Sequence, residues 1–198
     1  KVLYDAIAGY DERDATSITD TTYPEVAEKK SLVIGIPRHL IESGIDEDVR
    51  FNFDAAIAKL VAEGHQVIDV SLPTSGYALP VYYVIMPAEA SANLARYDGI
   101  RYGHRAEGAS LLDDYVMSRT EGFGPETTRR ILLGTFVLSS GYIDAYYRKA
   151  DAAREVLANE YNDAFASCDV IAFPTTPSPA FRFGEKTGDP VSMYLEDV

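Results

Sequence analysis

The stretch LVIGIPRHLIESGIDEDVRFNFDAAIAKLVAEGHQVIDVSLP, residues 32–73, decides the fold. Leu32, Ile34 and Ile36 alternate with Val33 and Gly35 up to Pro37, a pattern that predicts a mostly buried strand. Asp46 is placed to cap the helix that follows, and Glu47 and Asp48 complement the positive end of its dipole. Val49, Phe53, Ala56, Ile57 and Leu60 recur on one helical face, and Gly64 supplies the stop. Val67-Ile68-Asp69-Val70-Ser71-Leu72 then predicts a second strand, closed by Pro73. Strand, helix and strand at this spacing imply a βαβ unit and a sheet that is at least partly parallel.

Outward from this unit the chain changes character. Towards the N-terminus, residues 10–30 are polar, rich in Asp and Thr and without periodicity, which predicts a surface loop. Residues 1–9 read as the tail of a helix ending at Gly9, so the opening Val2-Leu3-Tyr4-Asp5 resembles mid-fold helix rather than a secretory leader. Towards the C-terminus, residues 77–97, 111–120, 125–138 and 139–167 all favour helix. The last carries a stripe of Tyr142, Tyr146, Ala150, Ala153, Leu157, Tyr161 and Phe165. Asp169-Val170-Ile171-Ala172-Phe173 predicts a short buried strand, and the run Pro174–Pro179 cannot continue it. A short helix is expected over 190–197. The fold class is therefore α/β, a mixed sheet with several long helices. Three strands beside four helices look unfinished, and the expectation is a single incomplete domain over 1–198.

Composition narrows the function. Hydrophobic residues at 46% and charged residues at 25% suit a globular chain rather than a disordered one. A formal net charge of −13 repels phosphate backbones, so an autonomous nucleic-acid surface is not expected. No apolar run approaches the roughly 18 residues of a membrane span. The lone Cys168 excludes an internal disulfide framework and suits the cytoplasm. His39, His65 and His104 lack metal-ligand spacing.

No catalytic signature is legible: there is no G-x-S-x-G elbow, Walker loop, H-E-x-x-H or cysteine pair, and no Gly- and Ser-rich amidase loop. Ser139-Ser140-Gly141 is the nearest imitation, at a helix junction where serine commonly caps. Three segments carry more polar detail than packing needs. Tyr82 and Tyr83 either line a pocket wall, offering a hydroxyl, or pack in a helix interface. Arg129 and Arg130 either clamp a carboxylate in bidentate fashion or form a solvated helix surface. Asp197 either holds an ammonium group or faces water.

These segments coincide with a family resemblance. Tyr82-Tyr83, Glu89-Ala90-Ser91, Asn93–Gly103, Glu121-Gly122-Phe123-Gly124, Arg129–Thr135, Leu138–Tyr147, Pro174–Phe181, Gly184-Glu185-Lys186, Asp189-Pro190 and Met193-Tyr194 are together very similar to one group of the amidase-signature family. That group is the A subunits of glutamyl-tRNA(Gln)/aspartyl-tRNA(Asn) amidotransferases, and the resemblance covers essentially the whole chain. It implies a partial α/β/α amidase-signature fold. In the family a serine, activated by a second serine and a lysine, attacks the side-chain amide of glutamine. The ammonia passes to the B subunit, which uses ATP and Mg²⁺ to amidate mischarged tRNA, while the C subunit supports the assembly.

The resemblance places that triad before Lys1 and a further segment after Asp197. This stretch is thus expected to hold no catalytic residue, no metal ligand and no cofactor of its own, and to be inactive alone. It also implies that Arg130 pairs the α-carboxylate of glutamine, Asp197 its α-ammonium, and Tyr82, with Tyr83 as the adjacent alternative, adds a hydroxyl. The expected partners are glutamine, the B and C subunits, and tRNA through the B subunit, with self-association of the piece through exposed apolar surface. Ile143 and His104 depart from family tyrosines, and His104 reads as a surface-loop residue with no flanking carboxylate or serine. Two other readings stand beside this one: a general amidase of the same superfamily, and a non-catalytic amino-acid-binding module.

Overall fold

The computed structural model describes residues 2–19, 29–97 and 99–185 of the 198. The chain divides into two compact units, Lys1–Ser31 and Leu32–Val198. The first contains helix α1 (Val2–Ile7), which buries none of its side chains. Residues 10–19 after it form no helix or strand and are almost entirely exposed. Local polar bonds order them: Asp11 and Asp14 each accept a backbone N–H two residues on, from Arg13 and Thr16, at 2.9 Å. The Thr16 N–H, helped by its hydroxyl, holds the Asp14 carboxyl below its ordinary value of 3.8.

In the second unit, β1 (Val33–Ile36), β2 (Gln66–Asp69) and β3 (Val170–Ile171) form a parallel sheet in the order β2-β1-β3. Val33 pairs with Gln66 and Ile36 with Asp69 on one side, and Ile34 with Val170 on the other. The apolar run predicted from sequence is the central strand, as expected for a strand covered on both faces. Helix α2 (Glu47–Ala62) returns the chain from β1 to β2. Its Phe53, Ile57 and Leu60 pack on a core of Ile34, Ile36 and Ile41, whereas Ala56 faces outward. The backbone entering β1 is tied on both sides. The Leu32 N–H donates to His65 Nδ1 at 3.1 Å, and the Val33 N–H donates to the Asp169 carboxylate at 2.8 Å. Gly35 is required mid-strand: a Cβ there would lie 2.8 Å from Val70 Cγ1 and 2.9 Å from Cys168 Sγ.

Four helices follow: α3 (Ala78–Leu94), α4 (Leu111–Gly122), α5 (Pro125–Val137) and α6 (Arg148–Phe165). The helix expected to run unbroken over 139–167 is interrupted. Gly141 turns the chain at φ +85°, Ser139 Oγ donates to the Phe136 carbonyl at 2.6 Å, and a wide π-turn over Ile143–Tyr147 leads into α6. The aromatic stripe is divided accordingly. Its middle packs with α3, where Val81, Ile85 and Ala150 form a second core joined by Tyr147, Ala153 and Leu157. Its ends, Tyr142, Tyr146 and Phe165, stay exposed. The sheet is linked to these helices by Glu160 of α6, which accepts the Thr74 N–H at 3.0 Å just beyond β2. The Pro174–Pro179 run lies beside α2, where the Asp46 N–H donates to the Pro177 carbonyl at 2.9 Å. Asp46 stands at the N-cap position, but its side chain makes no capping bond. The helix expected over 190–197 lies outside the described residues. Among those described, no helix is long and apolar enough to cross a membrane.

Candidate functional site

The site rests on how closely α3 and α5 approach. A Cβ built on Gly134 of α5 would collide with the Pro87 carbonyl oxygen and lie 2.7 Å from Ser91 Oγ, both on α3. Only glycine lets the two backbones touch there. Pro87 sits inside α3, where it has no N–H to donate to the preceding turn. Ser91 Oγ donates to the Ala88 carbonyl at 3.1 Å. One helical turn before Gly134 stands Arg130, and one turn before Pro87 stands Tyr83, so this contact sets the register that brings them together.

Arg130 points into the helix interface and Arg129 away from it, their side chains being 23% and 55% exposed. The Arg130 guanidinium lies between two helices. Its Nε donates to Glu126 Oε1 at 2.8 Å on its own helix. Its NH1 faces α3, 3.5 Å from the Tyr82 hydroxyl and 3.7 Å from Met86 Sδ. Its carbon lies 5.8 Å from the centroid of the Tyr83 ring, within the range of cation–π attraction. Tyr82 and Tyr83 meet edge to face at 5.1 Å. Both tyrosines therefore touch Arg130, Tyr82 through its hydroxyl and Tyr83 through its face. Asp197 lies outside the described residues.

Two contacts were not expected from the sequence. Glu126 pairs with both arginines, Oε1 with Arg130 and Oε2 with Arg129. The signal was readable, since a glutamate three and four residues before two arginines is a helical ion-pair spacing. His104 does lie on a surface loop, but it has a carboxylate partner: its Nε2 is 2.7 Å from Glu121 Oε2. Seventeen residues separate the pair, which hides it from a search of flanking positions. On the far side of α3, the Tyr147 hydroxyl donates to Glu89 Oε1 at 3.0 Å, and that bond to an anion raises the phenol above its ordinary 10.0.

A cavity of about 510 Å³ beside α5 does not include Tyr82 or Arg130. It opens on the next face of α5, walled by Leu94, Tyr97, Tyr102, Phe123 and Ile131. Its charged groups are engaged elsewhere: His104 with Glu121, and Arg119 over the Tyr115 ring at 4.9 Å. Volume alone does not choose between the two places. The half-buried cation at Arg130, flanked by the Tyr82 hydroxyl and the face of Tyr83, has the chemistry to recognise an anion. Among the described residues no three His, Cys, Asp or Glu side chains gather as a metal cage. Cys168 is buried, with Sγ 3.2 Å from the Ala164 carbonyl, and Ser118 is buried with Oγ on the Ala106 backbone. Both serve packing rather than nucleophilic chemistry.

Comparison with known proteins agrees with this architecture. The Amidase family profile matches residues 1–198. The A subunit of a glutamyl-tRNA(Gln) amidotransferase from Desulfatibacillum aliphaticivorans is 48% identical over the whole chain, and that from Sphingopyxis alaskensis 50%. The chain spans 42% and 41% of the length of these two relatives. The crystal structure of the glutamyl-tRNA(Gln) amidotransferase A subunit from Thermotoga maritima superposes with a TM-score of 0.64. It is 32% identical, over 99% of this chain and 38% of its own. A crystal structure described as an amidase gives 0.59 at 26% identity, over 82% of this chain and 32% of its own. A profile match along the full chain, carried on the α/β architecture described above, establishes that the chain belongs to the Amidase family.

Proposed function

We propose that this chain is the substrate-recognition part of the glutamine-hydrolysing A subunit of a tRNA-dependent amidotransferase. In this reading Arg130 pairs the α-carboxylate of glutamine and the Tyr82 hydroxyl adds a hydrogen bond. Asp197 takes the α-ammonium. Holding both charged ends aims the side-chain amide at a nucleophile. The serine–serine–lysine triad that attacks the amide belongs to the part of the parent protein outside this stretch. Ammonia then passes to the B subunit, which uses ATP and Mg²⁺ to amidate mischarged tRNA, with the C subunit supporting the assembly. A reducing, cytoplasmic setting fits the single buried cysteine.

The observation that carries the reading is the Arg130 guanidinium, largely withdrawn from solvent and 3.5 Å from the Tyr82 hydroxyl on a neighbouring helix. It is supported by the names of the similar A subunits. A general amidase acting on uncharged amides has no use for a cation held there. The test is ammonia release by the full-length protein, in complex with its partners, from glutamine and from 4-aminobutanamide, which lacks the α-carboxylate. Losing a charge-assisted hydrogen bond costs about 1.5–3 kcal/mol, so Arg130→Ala should raise the glutamine KM about 10- to 100-fold. It should erase the preference for glutamine over 4-aminobutanamide. An unchanged preference rules out the assignment of Arg130. The 198-residue chain alone should release no ammonia.

A further inference from the structure

An arginine recognises a carboxylate well only when its guanidinium plane is already turned towards the ligand. Arg130 is a long, flexible side chain, and contacts with two helices restrain it. Glu126 stands at the second position of α5, one turn before it, and accepts from Nε at 2.8 Å. Fixing Nε fixes the rotation of the planar group. NH1 is thereby directed across to α3, towards the Tyr82 hydroxyl and Met86 Sδ, with the Tyr83 ring nearby.

Such a glutamate presents an electrostatic problem, because its negative charge also repels an incoming carboxylate. The arrangement answers it. The second oxygen of Glu126 is taken by Arg129, which is solvent-facing. Both oxygens of Glu126 are thus engaged by guanidiniums rather than left facing the incoming carboxylate.

We infer that Glu126 is a positioning residue for Arg130, fixing the guanidinium to receive the α-carboxylate of the amide substrate. This inference rests on the reading of Arg130 given above. A merely structural role predicts something different. A partly exposed i,i+4 ion pair at a helix start that served stability alone would, when lost, affect every substrate alike.

The experiment uses the full-length protein in complex with its partners, with glutamine and 4-aminobutanamide as substrates and ammonia release as the readout. Glu126→Ala is expected to raise the glutamine KM about 3- to 10-fold, with kcat within about twofold. The loss in kcat/KM on glutamine should exceed that on 4-aminobutanamide by at least about threefold. Glu126→Gln keeps an oxygen for Nε–H and should recover most of the loss. In an Arg130→Ala background, Glu126→Ala should add nothing, since the group it orients is gone. Equal losses on the two amides, no loss on glutamine, or an additive double variant each overturn the inference. If the alanine variant fails to assemble, Glu126→Gln decides: near-normal glutamine KM supports it, and a KM as high as that of Arg130→Ala contradicts it. A glutamine KM unchanged by Arg130→Ala removes the reading of the site itself, and the inference falls with it. A normal effect of Arg130→Ala beside an inert Glu126→Ala removes the inference alone.

Discussion

The sheet around β1 and the crossing of α3 with α5 are both tightly packed, but on different terms. At β1 the packing is side chain against side chain. Ile34 and Ile36 are buried among the aliphatic and aromatic groups of α2, and even the constraint on Gly35 comes from the side chains of Val70 and Cys168. At the crossing it is backbone against backbone, with Gly134 against the Pro87 carbonyl. Aliphatic side chains yield a little when a neighbour changes, whereas a carbonyl inside a helix cannot. The candidate site is built on the less forgiving of the two contacts. Arg130, Tyr82 and Tyr83 are thus placed by main-chain geometry.

The sharpest way to break this comparison is at Gly134. Gly134→Ala in the full-length protein must push α5 away from α3, at a cost of about 3 kcal/mol or more by urea denaturation. Because the shift separates Arg130 from Tyr82, the glutamine KM of whatever folds should rise as well. A neutral Gly134→Ala would mean that the two backbones are further apart than described. Ile36→Val is the matching probe on the sheet. Removing one methylene from the 0% exposed core residue should cost about 0.5–1.5 kcal/mol and leave the glutamine KM as it was. A large KM change would show that the sheet and the crossing are mechanically coupled.

The smallest effect is expected in the segment that joins α3 to α4. There Gly108 N–H donates to Asp114 Oδ1 at 2.6 Å, and this bond, helped by Arg105, holds the carboxyl below its ordinary 3.8. A lowered folded pKa means that the carboxylate favours the folded state above pH 3.8. That contribution is lost as the pH falls through the folded value. Asp114→Asn should therefore lower the neutral plateau slightly and flatten the acid limb, leaving stability at the acid end close to the parent's. An acid limb identical to the parent's would show that this bond does not form in solution.

How much of this could be read in the sequence follows the same division. β1, α2 and β2 were legible because alternation, helical spacing, the acidic first turn and the Gly64 stop all act over a few residues. The pairing of Tyr82 with Arg130 was not legible from spacing, because a separation of 48 positions carries no periodic relation. Only the family resemblance joined them. The Glu126 pair was within reach, being a matter of three- and four-residue spacing. His104 with Glu121 was not, since only the folding of the loop onto α4 brings them together. The break at 139–147 was hidden by a stripe that begins at Tyr142 and runs in register through the π-turn into α6, and glycine's tolerance of a positive φ decided it. For α3, which is apolar almost all round, the sequence offered no single buried face; the glycine on its partner helix fixes which side is met.

The central claim is that Arg130 receives the α-carboxylate of glutamine. The most direct measurement is a crystal structure of the full-length protein, its nucleophilic serine replaced by alanine, with glutamine bound. The account predicts the carboxylate oxygens within about 3 Å of the Arg130 guanidinium, with the Tyr82 hydroxyl close by. The side-chain amide should point away from them, towards the emptied nucleophile position. Glutamine seated with its carboxylate on another residue, or in the cavity walled by Leu94 and Phe123, would contradict it.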